Sequence, residues 1–462
     1  MRADETADAI QTLKRQVEEL NQKIQTLERQ HAEEKESATQ EKNAVEEKKK
    51  TSPVLTAGPD GFNFRSADTN FFVGLHGIVQ LDNRSFFPRA VKSSDGFLLR
   101  RARPIVSGTV YRDFDFLFVP DFGLSTVVIQ DAYLNYKYAP GLQLRAGKFK
   151  SPVGLEQLQP DPKTLFNERS LVSALVPNRD LGVELHGDIA EGTASYAAGV
   201  FNGVGDARST SNADFDDNRE VAGRIFFQPF KKADLTPLRD FGFGLGGSFT
   251  HTAHTNSLPS TTGGSLPGFF TDGQQQFFTY NPATAGGVTP IVVPDGEHWR
   301  LSPQAYYYWG PFGLMGEYVI SHQRVKRTAA APFLSKNLEN TAWEISGSWV
   351  VTGENASYSG VSPKNPFDPR ARHWGALQLI ARYAELDIDS ATFPAFADLS
   401  TSASSARAWS AGLNWYLNRN LKLGASFSRT VFSGGGGVGA SAPATITRQP
   451  ENVFFTRLQL SF

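Results

Sequence analysis

Most of this chain alternates between apolar and polar residues, one by one, over long stretches. In residues 409–418 the odd positions are all apolar, and the residues between them are Ser, Gly, Asn, Tyr and Asn. In the last stretch, Leu458 and Leu460 alternate with Arg457 and Gln459. A period of two indicates β-strands with one apolar and one polar face. No run of about 18 apolar residues occurs, so the sequence excludes a transmembrane helix.

Stretches of this kind recur at a length of about 9 to 15 residues, which suits a tilted crossing of a bilayer. Short and long connections alternate along most of the chain, as in a barrel with one turn side and one loop side. The exceptions are 123–125, which is short where a loop is due, and 353–372, which is long where a turn is due. The sequence therefore predicts an all-β transmembrane barrel of about 16 antiparallel strands. The predicted strands are 71–82, 97–111, 113–122, 126–138, 141–149, 180–190, 193–201, 219–229, 240–253, 298–309, 312–325, 340–352, 373–387, 407–418, 420–432 and 451–462.

The composition argues against several classes of function. Lys and Arg together number 46 and Asp and Glu together 47, so the net charge is −1 and a nucleic-acid partner is not expected. The chain has no cysteine, which excludes disulfides, cysteine-based zinc sites and thiol catalysis. It also lacks the zinc-protease, phosphate-loop and serine-hydrolase motifs. We therefore expect no enzymatic activity, no metal site and no cofactor.

The N-terminal segment has a different period, because its apolar residues recur at steps of three and four. They form a heptad seam with Ile or Val at position a and Leu at position d, made of Ile10, Leu13, Val17, Leu20, Ile24 and Leu27. We expect self-association through an α-helical coiled coil. The alternative is an amphipathic helix that lies on its own protein. Taken alone, these residue types favour a dimer.

The segment that follows the seam changes composition and then contains helix-breaking residues. Residues 31–50 are nearly all Glu, Lys, Gln and Ala, which predicts a charged helix or a disordered spacer. Pro53 and Gly58-Pro59 then end any helix. We expect a periplasmic coiled coil and spacer in 1–50, a linker in 51–61 and a barrel in 62–462. The first residues lack the apolar core of a signal peptide, so we expect a processed chain with an added Met.

Several motifs of the predicted barrel resemble those of a known family in their order and spacing. They are Phe97-Leu98-Leu99-Arg100-Arg101-Ala102-Arg103, Asp131-Ala132-Tyr133-Leu134-Asn135-Tyr136, Arg145-Ala146-Gly147-Lys148-Phe149-Lys150-Ser151-Pro152, Asn167-Glu168-Arg169-Ser170, Pro177-Asn178-Arg179-Asp180-Leu181-Gly182-Val183 and Arg382-Tyr383-Ala384-Glu385-Leu386-Asp387. The family is the phosphate-selective porin O and P family of bacterial outer membranes, and the resemblance spans about residues 65–462. It implies a homotrimer of barrels in the lipid of the outer membrane, each with its third loop folded inward as a constriction.

Strand parity assigns the polar faces to the lumen of the predicted barrel. In 97–111, Ala102 and Val106 face lipid, so Arg101 and Arg103 face the lumen. Guanidinium and ammonium groups in a narrow pore replace the water that an anion loses there. Together with the basic residues of loop 150–179, the same rule gives the candidate pore-lining and anion-binding residues, which are Arg101, Arg103, Arg145, Lys150, Lys163, Arg169, Arg224 and Arg382.

A second interpretation of these basic residues remains open, because parity also turns carboxylates inward. Those carboxylates are Asp113, Asp115, Asp131, Glu184, Asp188, Glu220, Glu317 and Glu344. Many arginines would then brace the wall as ion pairs, and selectivity would depend on the residues at the narrowest point. The family resemblance implies a central anion site at a lysine of loop 150–179, and Lys163 is our candidate. The neighbouring Asp161 weakens a purely anion-binding interpretation.

We therefore expect an outer-membrane porin that forms a water-filled diffusion channel for small hydrophilic solutes, with a preference for anions and with phosphate as one candidate solute. The alternative is a structural protein whose N-terminal coiled coil ties the outer membrane to the peptidoglycan of the cell wall. A barrel plugged by loop 150–179 would favour that structural role.

Overall fold

The computed structural model describes residues 2–87, 95–210, 218–234, 236–251, 266–280, 292–327, 334–437 and 447–462. Helix α1 spans Arg2–Thr51 and helix α2 spans Leu155–Leu158. Short 3₁₀ helices span Gly123–Ser125, Asp161–Lys163, Leu171–Leu175, Ala190–Gly192, Thr236–Leu238 and Ser390–Thr392. In chain order the strands are β1 (Val54–Gly58), β2 (Gly61–Arg65), β3 (Phe72–Phe86), β4 (Gly96–Val110), β5 (Phe114–Asp121), β6 (Val128–Ala139), β7 (Leu142–Lys150), β8 (Arg179–Ile189), β9 (Ala194–Phe201), β10 (Glu220–Phe227), β11 (Asp240–Thr250), β12 (Phe269–Phe270), β13 (Gln276–Phe278), β14 (Val292–Trp309), β15 (Phe312–Arg327), β16 (Leu334–Val350), β17 (Ala376–Asp387), β18 (Ala403–Tyr416), β19 (Leu421–Gly434) and β20 (Glu451–Ser461).

The main sheet closes on itself. It has 18 strands, of which β1 and β2 form a hairpin at one rim, and the other 16 form a ring of antiparallel neighbours. The ring closes between the first and last of these, where Phe86 of β3 pairs with Val453 of β20 and Ile78 pairs with Ser461. The predicted 16-stranded antiparallel barrel is confirmed. β12 and β13 form a separate two-stranded hairpin.

The alternation seen in the sequence corresponds to the two faces of the wall. On β20, Leu458 and Leu460 are about two-fifths exposed on the outer face, while Arg457 and Gln459 are buried on the lumenal face. Several strands extend further at their loop-side ends than predicted, and β16 begins at Leu334 instead of residue 340. Outward positions there, such as Glu339, are polar. Strand pairing continues beyond the apolar part of the bilayer, and outward residues at that level need not be apolar.

The loop-side end of β4 departs from the parity rule because of a β-bulge between β3 and β4, so that Phe97 and Leu99 are exposed on the outer face. Gln80 pairs with Arg101, but the next residue, Leu81, pairs with Leu99, so Arg100 is an extra residue on β4. The Arg100 side chain reaches Glu168 inside the barrel. Parity alone had assigned even-numbered residues of this strand to the lipid face. The bulge corrects that assignment, since an extra residue shifts the alternation by one position.

The N-terminal helix stands apart from the barrel wall. α1 is continuous through the charged segment that was predicted as a helix or a disordered spacer. The side chains of its heptad seam are exposed, from 49% for Ile24 to 63% for Leu27. The alternative of a helix that packs on its own protein is therefore wrong for this chain. No helix among the described residues is long and apolar enough to cross a bilayer.

The segment predicted as a linker contains strand β1, which pairs with β2. β2 in turn pairs with the first residues of β3, from Phe72 to Leu75. The turn of this hairpin contacts the β18–β19 turn. There, Asn420 donates to the carbonyl of Pro59 at 2.6 Å, and Arg419 forms an ion pair with Asp60 at 3.1 Å. The hairpin is thus attached to the barrel by these contacts.

We predict that deleting residues 1–50 leaves a folded barrel, because α1 exposes its seam and the hairpin supplies its own pairing. The measurement is the gel shift on heating after assembly into detergent, with the full-length chain as the control. Loss of the shift in the truncated chain would show that the boundary is wrong.

The buried apolar side chains lie inside the barrel, where inward-folded loops pack on the wall. Residues of the 3₁₀ helix Leu171–Leu175 and of the β12–β13 hairpin form the centre of this cluster. Its fully buried large members include Phe149, Phe201, Phe269, Phe277, Phe278, Phe396, Leu171 and Leu175. This cluster fills part of the lumen.

Candidate pore constriction

The loop between β7 and β8, residues 151–178, folds into the lumen as predicted and reaches the opposite wall. Glu317 of β15 accepts hydrogen bonds from the backbone N–H groups of Leu155 at 2.9 Å and Glu156 at 3.1 Å. Further along the loop, Asn414 of β18 donates to the carbonyl of Leu165 at 2.9 Å. These bonds fix a constriction within the barrel.

A connection on the turn side also folds inward, and it supports this loop from below. It is the long segment 351–375, whose length stood out in the sequence. The Tyr358 hydroxyl donates to the carbonyl of Leu155 at 2.6 Å, and Gln159 donates to the carbonyl of Tyr358 at 2.7 Å. Ala356 and Val361 of the same segment are buried. The extra length therefore has a structural role in the lumen.

A third inward segment descends from the loop side, and it is the tip of the β12–β13 hairpin. The carboxylate of Asp272 accepts hydrogen bonds from Arg382 at 2.8 Å, Ser428 at 2.9 Å and Ser410 at 3.1 Å. Arg382 also donates to Glu156 of the constriction loop at 3.1 Å. One guanidinium thus joins two inward segments to the wall.

Two cavities remain on either side of the constriction, and charged side chains line both of them. The loop-side cavity has a volume of about 350 Å³ and is lined by Arg100, Arg101, Arg103, Gln130, Arg169 and Arg179, among others. The turn-side cavity has a volume of about 850 Å³ and is lined by His76, Lys163, Ser357, Ser359, Ser362 and Arg419, among others. The inward loop narrows the lumen and leaves space on both sides.

The segment between the two cavities carries a carboxylate that faces the loop side. Pro160, Pro162 and Lys163 line the turn-side cavity, and Asp161 lines the loop-side cavity. We call this segment, residues 160–163, the neck.

Cations surround the neck carboxylate. Arg169 approaches Asp161 to 2.6 Å and Arg101 to 3.4 Å, and Arg103 forms a short ion pair with it. Burial would raise the pKa of Asp161, but these cations and Lys150 hold it well below the usual range. Asp161 is therefore ionised.

A second loop carboxylate organises the upper part of the loop-side cavity. Glu168 accepts from Arg100 at 2.6 Å and from Arg84 of β3 at 2.9 Å. Burial opposes ionisation of Glu168, but the charge of Arg100 lowers its pKa below the ordinary value. The carboxylates of the constriction loop are thus anchored by arginines from the wall.

Four of the predicted pore residues form contacts that brace the structure. Arg145 pairs with Glu184, and its guanidinium carbon lies 4.3 Å from the centre of the Phe149 ring. Arg224 donates to Gln304 at 2.8 Å, and Lys150 donates to the carbonyl of Gln159 at 2.8 Å. Arg382 is the fourth. For these residues the structure favours the second interpretation, in which basic residues brace the wall.

The other four predicted residues line the cavities. Arg101, Arg103 and Arg169 lie together at the loop-side cavity, whereas Lys163 faces the turn-side cavity. Lys163 is half-buried and has no ion pair in the part of the chain that the structure describes. Burial and the nearby charge of Arg419 lower its pKa. Lys163 and Arg419 therefore give the turn-side cavity two cations against the carboxylate of Asp60.

Sequence reasoning missed Arg84 and Arg100 as lumenal residues. Arg100 stood within a recognised motif, but its inward direction depends on the bulge, which alternation cannot locate. Arg84 lies at the loop-side end of β3, beyond the predicted strand 71–82. Both arginines donate to Glu168. Glu168 lies far from them in the sequence, so sequence patterns did not reveal these contacts.

Comparisons with known proteins agree with this architecture. A model of the family "Phosphate-selective porin O and P" matches residues 73–430. Porin O of Pseudomonas aeruginosa is 22% identical over 400 residues, which cover 81% of this chain and 88% of that protein.

Among solved structures, the outer membrane channel DcaP of Acinetobacter baumannii matches with a TM-score of 0.54 and 12% identity, over 88% of this chain and 100% of that one. An anion-selective porin from Comamonas acidovorans matches with a TM-score of 0.50 and 13% identity, over 85% of this chain and 100% of that one. At such identities the structural matches support the fold alone.

Proposed function

We propose, from the premise that this chain belongs to the phosphate-selective porin O and P family, that its channel prefers anions and that phosphate is among its solutes. The chain is an outer-membrane porin, and small hydrophilic solutes cross the membrane through its lumen. The preference for anions and the identity of the solutes are the parts that we propose.

The observation that carries this proposal is the excess of cations in the group of ion pairs around Asp161 and Glu168. Five guanidinium groups, those of Arg84, Arg100, Arg101, Arg103 and Arg169, pair with three carboxylates, those of Asp121, Asp161 and Glu168. Lys163 adds a further positive charge below the neck. Fixed charges in a narrow, partly dehydrated passage are poorly screened, so the excess attracts anions and opposes cations. We propose that Arg101, Arg103, Arg169 and Lys163 contact the anion, and that Arg145, Lys150, Arg224 and Arg382 hold the walls of its path.

Planar bilayer recording with competing anions tests the proposed solute. Chloride current through the purified protein is measured while phosphate is added. If phosphate binds in the passage, it occupies the cationic groups and reduces the chloride current in a saturable manner. A chloride current that does not respond to phosphate would remove phosphate from the proposal and leave a general porin.

We predict that the protein is a homotrimer. The family resemblance implies three subunits, whereas the a and d residues of the seam alone favour two. A seam of about three heptads is too short to decide the number of subunits, and we expect contacts between barrels to bury more surface than the seam does. The measurement is the mass of the complex in detergent. A mass that corresponds to one or two chains would contradict the prediction.

A second role concerns the N-terminal helix and is compatible with the channel. α1 has 50 residues and is therefore about 75 Å long at 1.5 Å per residue. Its exposed seam and charged end are available to partners in the periplasm. We propose that this helix tethers the barrel to peptidoglycan. The test is co-sedimentation of the full-length chain with purified peptidoglycan, with the chain lacking residues 1–50 as the control.

A further inference from the structure

Asp161 occupies the position in which the passage would hold an anion. It is a 5% exposed carboxylate that forms ion pairs with Arg101, Arg103 and Arg169. Lys150 lies close enough for its charge to act on the same carboxylate. A carboxylate that braces a wall needs one partner, as Asp131 has in Arg179. Arg103 also pairs with Asp121, and Lys150 also donates to the carbonyl of Gln159. Even so, four cations around one carboxylate are more than bracing requires, and they form a site for an oxyanion.

The backbone of the neck is held independently of the Asp161 side chain. The carbonyl of Pro162 accepts from Gln459 at 3.0 Å and from Lys422 at 3.3 Å. The carbonyl of Pro160 accepts from the N–H of Lys163 at 2.8 Å. The two prolines also restrict the main chain on both sides of Asp161. The neck therefore has supports that do not depend on the Asp161 carboxylate, which itself borders the loop-side cavity.

We propose that Asp161 is a tethered competitor, whose carboxylate fills the cationic site at the neck and is replaced by a permeating oxyanion of the phosphate or carboxylate type. The incoming anion takes over the guanidinium donors while the Asp161 side chain rotates away, and the carboxylate returns when the anion has passed. This inference rests on the proposed anion preference.

Such an exchange explains how a strongly cationic passage conducts at all. Conduction requires a site that binds the ion well enough to admit it and weakly enough to release it. Four cations without a resident carboxylate would bind a polyvalent anion tightly and release it slowly. Asp161 offsets part of this affinity, because each anion must displace a group that is already bound.

The competing explanation is that Asp161 only pins the constriction loop to β4, and the two explanations predict opposite results for Asp161→Asn. Asparagine keeps the shape of the side chain and removes its charge. If Asp161 competes with the solute, the variant binds phosphate more tightly. If Asp161 only attaches the constriction loop to β4, the loop becomes less ordered in the variant, and the variant binds phosphate as tightly as the wild type or more weakly.

The experiment measures the phosphate concentration that halves the chloride current through the wild type and two variants. For Asp161→Asn we expect this concentration to fall about tenfold, which corresponds to about 1.4 kcal/mol. The control is Asp115→Asn, which removes a carboxylate from the single ion pair with Lys137 at the start of β5, away from the loop-side cavity, and there we expect little change. An unchanged or higher concentration for Asp161→Asn would overturn the inference, and so would failure of that variant to assemble. A wild-type channel that prefers cations would instead overturn the proposed function.

Discussion

Replacing Arg382 by alanine is expected to widen the pore and raise its single-channel conductance several-fold. Arg382 is buried on β17 and binds Glu156 of the constriction loop, Asp272 of the β12–β13 hairpin and the carbonyl of Glu168. Without it, two buried carboxylates lose their cation. Breaking a buried ion pair from one side costs about 3–5 kcal/mol, and the loops relieve this cost by moving toward water. The measurement is single-channel conductance in a planar bilayer.

Arg145→Ala is the matched control for this prediction. Arg145 is also a lumenal arginine with a carboxylate partner, but that partner, Glu184, belongs to the neighbouring wall strand β8. Removing the Arg145 guanidinium leaves Glu184 unpaired, but it does not release any of the segments that fold into the lumen. We expect the conductance to stay close to that of the wild type. Equal conductances for Arg382→Ala and Arg145→Ala would contradict the role that we assign to Arg382.

Replacing Lys163 by alanine is expected to reduce the anion preference more than replacing Arg101. Lys163 has no ion pair among the described residues, and Asp60, the carboxylate that lines the same cavity, pairs with Arg419 instead. The loss of Arg101 leaves Asp161 with Arg103 and Arg169, and the carboxylate remains compensated. The measurement is the reversal potential in a KCl gradient for the two variants. An unchanged ratio of anion to cation permeability in Lys163→Ala would refute the assignment.

The same lysine gives the wild type a dependence on pH. Burial, together with Arg419, lowers the pKa of Lys163 below its ordinary value of 10.5. The ammonium is charged below that lowered pKa and neutral above it, so the anion preference should fall as the pH rises through it. Lys163→Arg should keep the preference at high pH, because the guanidinium remains charged. Persistence of the fall in Lys163→Arg would show that another group is responsible.

The barrel was predictable because a bilayer demands an apolar residue at every second position of each strand. At the rim of the barrel the outward residues need not be apolar. There β14 begins at Val292 and β16 at Leu334, each six residues before its predicted start. The alternation also fails at the bulge beside Arg100. Alternation records which face a side chain is on, but it contains no information about an extra residue in the strand.

The candidate site was predictable only in part, for a different reason. Parity turned Arg101, Arg103, Arg145 and Arg382 inward correctly, but it does not distinguish a residue that lines a cavity from one that braces a loop. That distinction depends on the course of residues 151–178 through the lumen. The contacts that fix this course, such as Glu317 with Leu155 and Arg382 with Glu156, join residues more than 150 positions apart.

The central claim is that the net charge at the constriction makes this channel prefer anions. The most direct test is the reversal potential of the purified wild-type protein in a planar bilayer, with a tenfold higher KCl concentration on one side. We predict a potential of the sign set by chloride, because the guanidinium groups outnumber the carboxylates at the neck. A reversal potential of the opposite sign, set by potassium, would contradict the account.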